Sequence, residues 1–358
     1  MRIAQLVSNL NPVSRESTKA ICSHVALLTN TIVQSGHQAD LYAAGDSVTK
    51  GTLHSISQTA AEQQSFPPDL QRHFTNMLIS DCYKNAADYD IIHSHFTLLS
   101  SFYAGLVNTP TLISVHSPIR TEIHPFLLKY RQLSYVSFSH AQRHHMPELN
   151  WVANIYHGVD TERFAFHPFP KDYFLYLGRV TEEKGVHHAI EAAKAAKVPL
   201  IIAGGSYQAE GYWHKNIEPE INGKTIRYVG VANETQKIEL LQNARALLFP
   251  TQYDETFGLV MIEAMACGTP VIGWRNGSVP EVVADNVTGF IVDSVYGMVK
   301  AIESIDTISR QATRKRAETY FSQQKMTEGY LRVYERMIKK NKKITKPPAT
   351  QKKSPSRR

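Results

Sequence analysis

The sequence predicts an α/β protein made of two doubly wound, Rossmann-like domains, each a parallel sheet with helices on both faces. Three observations predict it. Short Val/Ile-rich runs alternate with amphipathic stretches along most of the chain. The alternation breaks once, at Phe164 to Asp172, which holds two prolines and no periodicity, and then restarts. The length, 358 residues, is more than one hydrophobic core usually serves.

The elements follow in order. Arg2 to Ser8 is a strand, and the polar loop Asn9-Leu10-Asn11-Pro12-Val13-Ser14 leaves it. Ser17 or Thr18 can cap a helix carrying Ile21, Val25, Leu28 and Ile32, which stops at Gly36. Ala39 to Ala43 is a strand, and Ser47 to Pro68 has too little periodicity to place. Leu70 to Ala87 reads as helix. Asp90-Ile91-Ile92-His93-Ser94-His95 is a strand ending in two histidines; Leu98 to Val107 reads as helix. Thr111 to Val115 is a strand ending at His116-Ser117-Pro118, and Tyr135 to Ser139 and Ala153 to Tyr156 are strands. After the break come strands at Tyr173–Leu177, Pro199–Ala203, Thr225–Val229 and Ala246–Phe249, with helices at Val186–Ala195 and Thr235–Asn243. Short strands at Val271–Gly273 and Phe290–Val292 follow, then one long amphipathic helix from Thr319 to Lys339. Ligands of such sheets bind at the carboxyl ends of strands. That rule gathers Ser8–Arg15, His93–His95 and His116–Arg120 on one edge, and a cleft between the domains is the default ligand site.

The formal net charge is +7, but 339–358 holds nine Lys or Arg and no acid, so the rest of the chain is at −2. The tail, with its three prolines, reads as disordered. It is either a solubilising tail or a contact with an anionic membrane surface. Nucleic acid is disfavoured, because no aromatic residues interleave with the charges. No apolar run is long enough to span a bilayer, and the N-terminus reads as a first strand and not as a signal peptide. Cys22, Cys82 and Cys267 have no disulfide or metal spacing, which suits a cytoplasmic protein. His93 and His95 have the spacing of a metal pair, but no third ligand is evident, so a structural or cleft-lining role is preferred and no metal site is assigned. No G-x-G-x-x-G follows the first strand, which disfavours a nicotinamide dehydrogenase.

The stretch Glu255 to Ile272 carries the chemistry. Leu259, Val260, Met261, Ile262, Met265 and Ala266 make a helix apolar on nearly every side, and such helices are buried. Glu263 inside it needs a strong partner or a ligand. Glu255 lies just before the helix, whose N-terminus favours anions, and Gly258 permits close approach. Alone, the stretch fits either a salt-bridged core helix or a phosphate cradle flanked by carboxylates. Arg179 and Lys184, in Gly178-Arg179-Val180-Thr181-Glu182-Glu183-Lys184-Gly185, add two cations at the same sheet edge and suit a diphosphate.

These motifs resemble the retaining glycosyltransferases of family 4, of the GT-B fold. The resemblance rests on Gly178-Arg179…Lys184-Gly185, on the Glu-x₇-Glu motif from Glu255 to Glu263 with its flank to Ile272, on Gly277-Ser278-Val279-Pro280-Glu281, and on Asn286-Val287-Thr288-Gly289-Phe290. Asp90–His95 and His157-Gly158-Val159-Asp160 are similar to family signatures in the first half. The resemblance implies an acceptor-side domain at 1–163, a nucleotide-sugar domain at 164–318, a helix crossing back at 319–340 and a basic tail at 341–358. It implies that Glu263 binds ribose hydroxyls, and that Glu255 and His116 meet the transferred sugar. Arg179 and Lys184 would hold the diphosphate. Thr256, Phe257, Gly258 and Leu259 would meet sugar and phosphate, and Gly204, Gly205, Val229, Gly230 and Val231 would lie near the base. No metal or other cofactor is implied. The partners implied are a UDP- or GDP-sugar and a sugar, lipid-linked or small-molecule acceptor. An epimerase and a non-catalytic nucleotide-sugar-binding protein are the alternatives. Family members commonly carry a glycine pair after the first strand, where this chain has none, so the role of Asn9–Ser14 is open; Arg15 is a candidate anion contact or a surface residue.

Overall fold

The computed structural model describes residues 1–64, 66–206 and 210–344. The first sheet has seven parallel strands: β1 (Arg2–Leu6), β2 (Gln38–Tyr42), β3 (Thr52–His54), β4 (Ile91–Ser94), β5 (Thr111–Ser114), β6 (Ser134–Ser137) and β7 (Trp151–Asn154). Their order is β3-β2-β1-β4-β5-β6-β7. The intervening helices are α1 (Ala20–Gln34), α2 (Pro68–Lys84), α3 (Ser101–Ala104) and α4 (His124–Lys129). The second sheet comprises β8 (Phe174–Leu177), β9 (Leu200–Ala203), β10 (Ile226–Tyr228), β11 (Leu247–Phe249), β12 (Val271–Trp274) and β13 (Gly289–Val292). Its order is β10-β9-β8-β11-β12-β13, again all parallel. Its helices are α5 (Val186–Ala195), α6 (Glu210–Tyr212), α7 (Glu234–Asn243), α8 (Leu259–Ala266), α9 (Val279–Val282), α10 (Val295–Glu303) and α11 (Arg310–Tyr320).

Both strand orders reverse direction once, between β1 and β4 and between β8 and β11. Open α/β sheets bind ligands at that reversal, outside the carboxyl ends of the strands. The buried strands explain the Val/Ile runs, since both faces of each sheet are covered.

Four expectations need correction. The helix expected from Thr319 is two helices, α11 and then α12 (Gln323–Ile344). Phe321 leaves the helical region at φ −126° because its neighbour Ser322 pairs with Val159, and the backbone of Val159 bonds Phe321 and Gln323 on either side. The α1 helix starts at Ala20 with no side-chain cap; the Ser17 hydroxyl accepts from the Lys19 amide in a local turn and does not cap the helix. The helix expected over Leu98–Val107 shortens to α3, and the unplaced region contributes β3. The basic tail falls outside the described residues from 345 onward, and α12 continues through its first positions, 341–344.

The α12 helix packs on the first sheet. Tyr330, Val333, Tyr334 and Ile338 join Ile3, Leu28, Ile91 and Leu112 in one core. Glu281 ties the domains from the other side, accepting from the amides of His140 and Ala141 at 2.9 and 2.8 Å and from Tyr156 at 3.1 Å. The Tyr334 hydroxyl is fully buried, bonding His93 Nδ1 at 2.7 Å and accepting from Gln5 Nε2 at 3.2 Å. Replacing it (Tyr334→Phe) strands two buried polar groups, so a loss of about 1–3 kcal/mol is expected. Urea unfolding monitored by fluorescence measures it; an unchanged midpoint would show that the two groups are not held by Tyr334.

Candidate functional site

The site is built at the reversal of the second sheet. Leaving β8, the chain runs through Gly178 and Arg179. Gly204, at the end of β9, packs against that turn at φ +148°, and a Cβ there would lie 1.7 Å from the Gly178 carbonyl. Strand ends are tied together: Gly204 N donates to Gly230 O at 2.8 Å, and Val180 N to Gly205 O at 2.9 Å. From β11 the chain loops through Glu255 to Gly258, which adopts φ +79° and starts α8. A Cβ at Gly258 would stand 2.8 Å from Met261 Cε and 3.1 Å from Phe249 Cζ. The first amides of α8 therefore open toward the cleft without a side chain in front of them. Ser278 braces the loop, donating from its hydroxyl to Phe257 O at 2.7 Å and from its amide to Glu255 O at 3.1 Å.

One cleft collects most of the expected residues. It is lined by His116 from the first domain, by Arg179, Lys184, Gly204, Gly205 and Val231, and by Glu255 to Val260 and Glu263. Val229 and Gly230 stand at the end of β10 beside it, with Val229 exposed. Thr256 reaches across the cleft, its hydroxyl donating to the His116 carbonyl at 3.4 Å. Across from α8 the wall is Ser17, Thr18, Ala20, Ile21 and Ser23, the approach to α1 and its first turn. Arg15 forms an ion pair with Asp160 and lines a smaller adjoining cavity with Glu263.

The charges are arranged as pairs. Lys184 is 14% exposed and binds Glu255 at 2.5 Å and the Tyr253 hydroxyl at 2.6 Å, whereas Arg179 is 60% exposed and reaches only Glu183, at 3.4 Å. Burial and Glu255 push the Tyr253 phenol well above its ordinary value, so it remains a donor to the carboxylate at 2.8 Å. Of the two ways to satisfy Glu263, a strong partner or a ligand, the protein itself supplies the first: Lys237 Nζ lies 2.8 Å away. Burial alone would lower the Lys237 ammonium, but Glu263 and Glu234 outweigh it and leave it raised. Sequence reasoning missed Lys237 and Tyr253. The one available signal was Glu234 three residues before Lys237 on a helix starting at the sheet edge.

The floor of the cleft on the first-domain side is a histidine cluster. His95 Nδ1 is 2.8 Å from His116 Nε2, and His24 Nδ1 is 2.8 Å from His157 Nδ1. His93 bonds Ser114 at 2.8 Å. Burial drives His24 down to about 3. Burial, with the neighbouring imidazoles, holds His93, His95, His116 and His157 well below the usual histidine range. His24 was legible only as a polar residue between Ile21 and Leu28 on the apolar face of a helix.

A sheet edge that offers a helix N-terminus, two cations and two lysine-paired carboxylates decides the comparison. Residues 160–322 match the family Glycosyl transferases group 1. The matched region contains Arg179, Lys184, Lys237, Glu255 and Glu263, and ends before α12. Glycogen synthase of Mycobacterium tuberculosis is 32% identical over 206 residues, 52% of this chain and 49% of that protein. The D-inositol 3-phosphate glycosyltransferase of Corynebacterium glutamicum is 21% identical over 357 residues, 82% of this chain and 85% of its own length. The chain spans about half the length of the first curated relatives it matches. Among solved structures, AviGT4, a glycosyltransferase involved in avilamycin A biosynthesis, superposes with TM-score 0.73 at 21% identity, over 94% of this chain and 98% of that one. Anabaena HepE in complex with UDP and glucose superposes with TM-score 0.72 at 16% identity, over 94% and 100%. The fold is thus GT-B: two Rossmann-like domains facing across a cleft. No helix among the described residues is long and apolar enough to cross a membrane.

The neutral histidines set an acid limit. His24 keeps its folded-state value near 3 against about 6.5 when unfolded, so below pH 6.5 the unfolded chain takes up a proton that the folded chain refuses. Stability is full above that value and falls as pH drops toward 3, by up to about 1.4 kcal/mol per pH unit for each histidine still neutral. Melting temperatures between pH 7.5 and 5 should drop steeply, and His24→Gln should flatten the slope by one proton; an equal slope in the variant would contradict the assignment.

Proposed function

We propose that the chain transfers a sugar from a nucleoside-diphosphate sugar to an acceptor hydroxyl, with retention and without a metal. The observation that carries this reading is the convergence of Lys184, Arg179, the α8 N-terminus and Glu263 on one cleft at the reversal of the second sheet. The diphosphate lies against the α8 amides, with Lys184 and Arg179 as its cations. Glu263, steadied by Lys237, accepts hydrogen bonds from the ribose hydroxyls. The base rests by Gly204, Gly205 and Val231, with the exposed Val229 and Gly230 at its edge. Glu255 and His116 face the sugar, and Thr256 to Leu259 close around its phosphate side. That HepE is solved with UDP and glucose supports such a donor, uridine or guanosine being the candidate bases.

The proposed reaction runs as a front-face displacement. The bond from the anomeric carbon to the diphosphate oxygen breaks, and charge grows on that oxygen. Lys184, Arg179 and the helix amides are already placed to stabilise it, so little reorganisation is needed. The acceptor hydroxyl attacks from the same face; its oxygen bonds the anomeric carbon and its proton passes to the departing phosphate oxygen. No protein nucleophile takes part. The acceptor enters along the α1 side, past Ser17 to Ser23. A basic tail beyond α12 suits an acceptor at an anionic surface.

A thermal-shift screen against nucleoside diphosphates tests the donor site. One of them should raise the melting temperature, because a ligand at about 100 times its Kd adds roughly 2.7 kcal/mol. Glu263→Ala should abolish the shift. No response to any base would sink the proposal. Lys184→Ala should lower kcat by about 10²–10³ at saturating donor, the usual loss when one charge-stabilising group is removed; an undiminished kcat would take Lys184 out of the leaving-group role.

A further inference from the structure

From its geometry we infer that His24, His95 and His116 form a binding site for one zinc-like divalent cation at the floor of the cleft. One ring nitrogen from each lies within 4.8 Å of the other two. The ring centres are separated by 5.0 Å for His95 and His116, 5.4 Å for His24 and His116, and 5.9 Å for His24 and His95. Three imidazoles on one tetrahedral ion, with bonds of about 2.0–2.1 Å, have ring centres roughly 5 Å apart. The observed separations, 5.0, 5.4 and 5.9 Å, lie close to that spacing.

A second observation comes from the hydrogen bonds. His24 is 2% exposed, and its Nε2 has no partner among the described residues. Its other nitrogen is occupied by His157. His95 is oriented in the same manner. Gln5 Nε2 donates to Tyr334, which leaves Gln5 Oε1 to accept from His95 Nε2 at 2.9 Å. His95 Nε2 therefore carries the proton, and its Nδ1 presents a lone pair toward His116. Metal-binding histidines are oriented in this way, with the second nitrogen tied to a fixed partner. His116, partly exposed, supplies the cleft-side ligand. On binding, the proton that His116 Nε2 shares with His95 Nδ1 moves to His116 Nδ1, so three neutral imidazoles face the ion and none is lost.

The ligand set selects the metal. Imidazole nitrogens without a carboxylate suit Zn²⁺, Ni²⁺, Co²⁺ or Cu²⁺ and not Mg²⁺, Ca²⁺ or Mn²⁺. His93, which has the spacing of a metal pair with His95, is not in the triad: its nitrogens are held by Ser114 and Tyr334. The ion has no part in the transfer. If the cleft is a donor site, the ion withdraws His116 from the sugar and acts as an inhibitor. That consequence rests on the proposed function; the binding does not.

The test uses the full chain, freed of any affinity tag and stripped with a chelator, titrated with Zn²⁺ alone by calorimetry. Co²⁺ absorption reports the geometry. One ion per chain with a tetrahedral cobalt spectrum is expected. His24→Gln and His95→Gln should each weaken binding at least tenfold, and Gln5→Leu, which touches no metal, by about 10–100-fold. His93→Gln and the double variant His187→Gln/His188→Gln should bind as the parent does. Circular dichroism checks folding of each variant, and His24→Gln alone suffices if the strand variants do not fold. Absence of a stoichiometric ion, or binding that survives His24→Gln and disappears with His187 and His188, would overturn the site.

Discussion

The left-handed turn at Gly258 fixes the geometry of everything around it. It reverses the chain leaving β11 and starts α8 at the sheet edge, where φ of +79° strains any residue but glycine and a Cβ would crowd Met261 and Phe249. Glu255 is thereby held before the helix and Glu263 inside it, with the free amides between them. The far end of α8 is anchored as well: Arg314 donates to Ala266 O at 2.5 Å, setting a cation against the helix C-terminus. Both carboxylates carry a lysine already. A single removed partner would leave a poorly solvated charge, so each pair keeps the site intact between ligands. Each carboxylate is thereby held in one orientation at the cleft wall.

Much of this was legible in the sequence, and the unread part has a common cause. Strand and helix alternation gave the two sheets, because buried parallel strands must be continuously apolar. The Val186–Ala195 helix is where its periodicity put it. Glu263 stood out as a charge in an apolar helix. Its partner Lys237 is 26 residues away on another helix, and nothing local marks it. The break at Phe321 was hidden for the same reason: the residues pulling the chain out of helical geometry include Val159, far earlier in sequence. The loop Asn9–Ser14 drew attention by lacking glycine, yet Ser17, Thr18, Ala20, Ile21 and Ser23 make that wall of the cleft. Local pattern finds elements and misses pairings created by tertiary placement.

Polar contacts between the domains lie around the cleft, beside a buried seam in which Phe257 meets Tyr156 and His157 with ring centres 5.9 and 5.1 Å apart. Glu281 holds the His140 and Ala141 amides, Thr256 reaches His116, and His145 lies 3.2 Å from Asp254. On the other side Arg163 links Glu16 at 3.3 Å to Glu234 at 3.5 Å, and Glu234 holds Lys237. The polar contacts among them are replaceable by water, whereas the apolar seam around Phe257 is not. The ionic chain ends on Glu263. Glu16 on the first domain and Glu263 in the cleft are thus joined through Arg163, Glu234 and Lys237.

The crossing helix supplies the remaining connection, from behind the cleft. Tyr334 on α12 is bonded to both Gln5 and His93. Gln5 in turn fixes the proton of His95, and His95 meets His116 at the cleft surface. Tyr330, one turn earlier on the helix, packs against His93 with ring centres 4.8 Å apart. The orientation of the His116 imidazole, which lines the cleft beside His157, is therefore set by a helix that follows the second domain in sequence and packs on the first. Each bond in that path has a defined donor and acceptor, so the tautomers along it are not independent. A change at Tyr334 that frees the Gln5 amide removes the reason for His95 to hold its proton on Nε2, and the cleft histidine loses its fixed acceptor although nothing in the cleft has been touched.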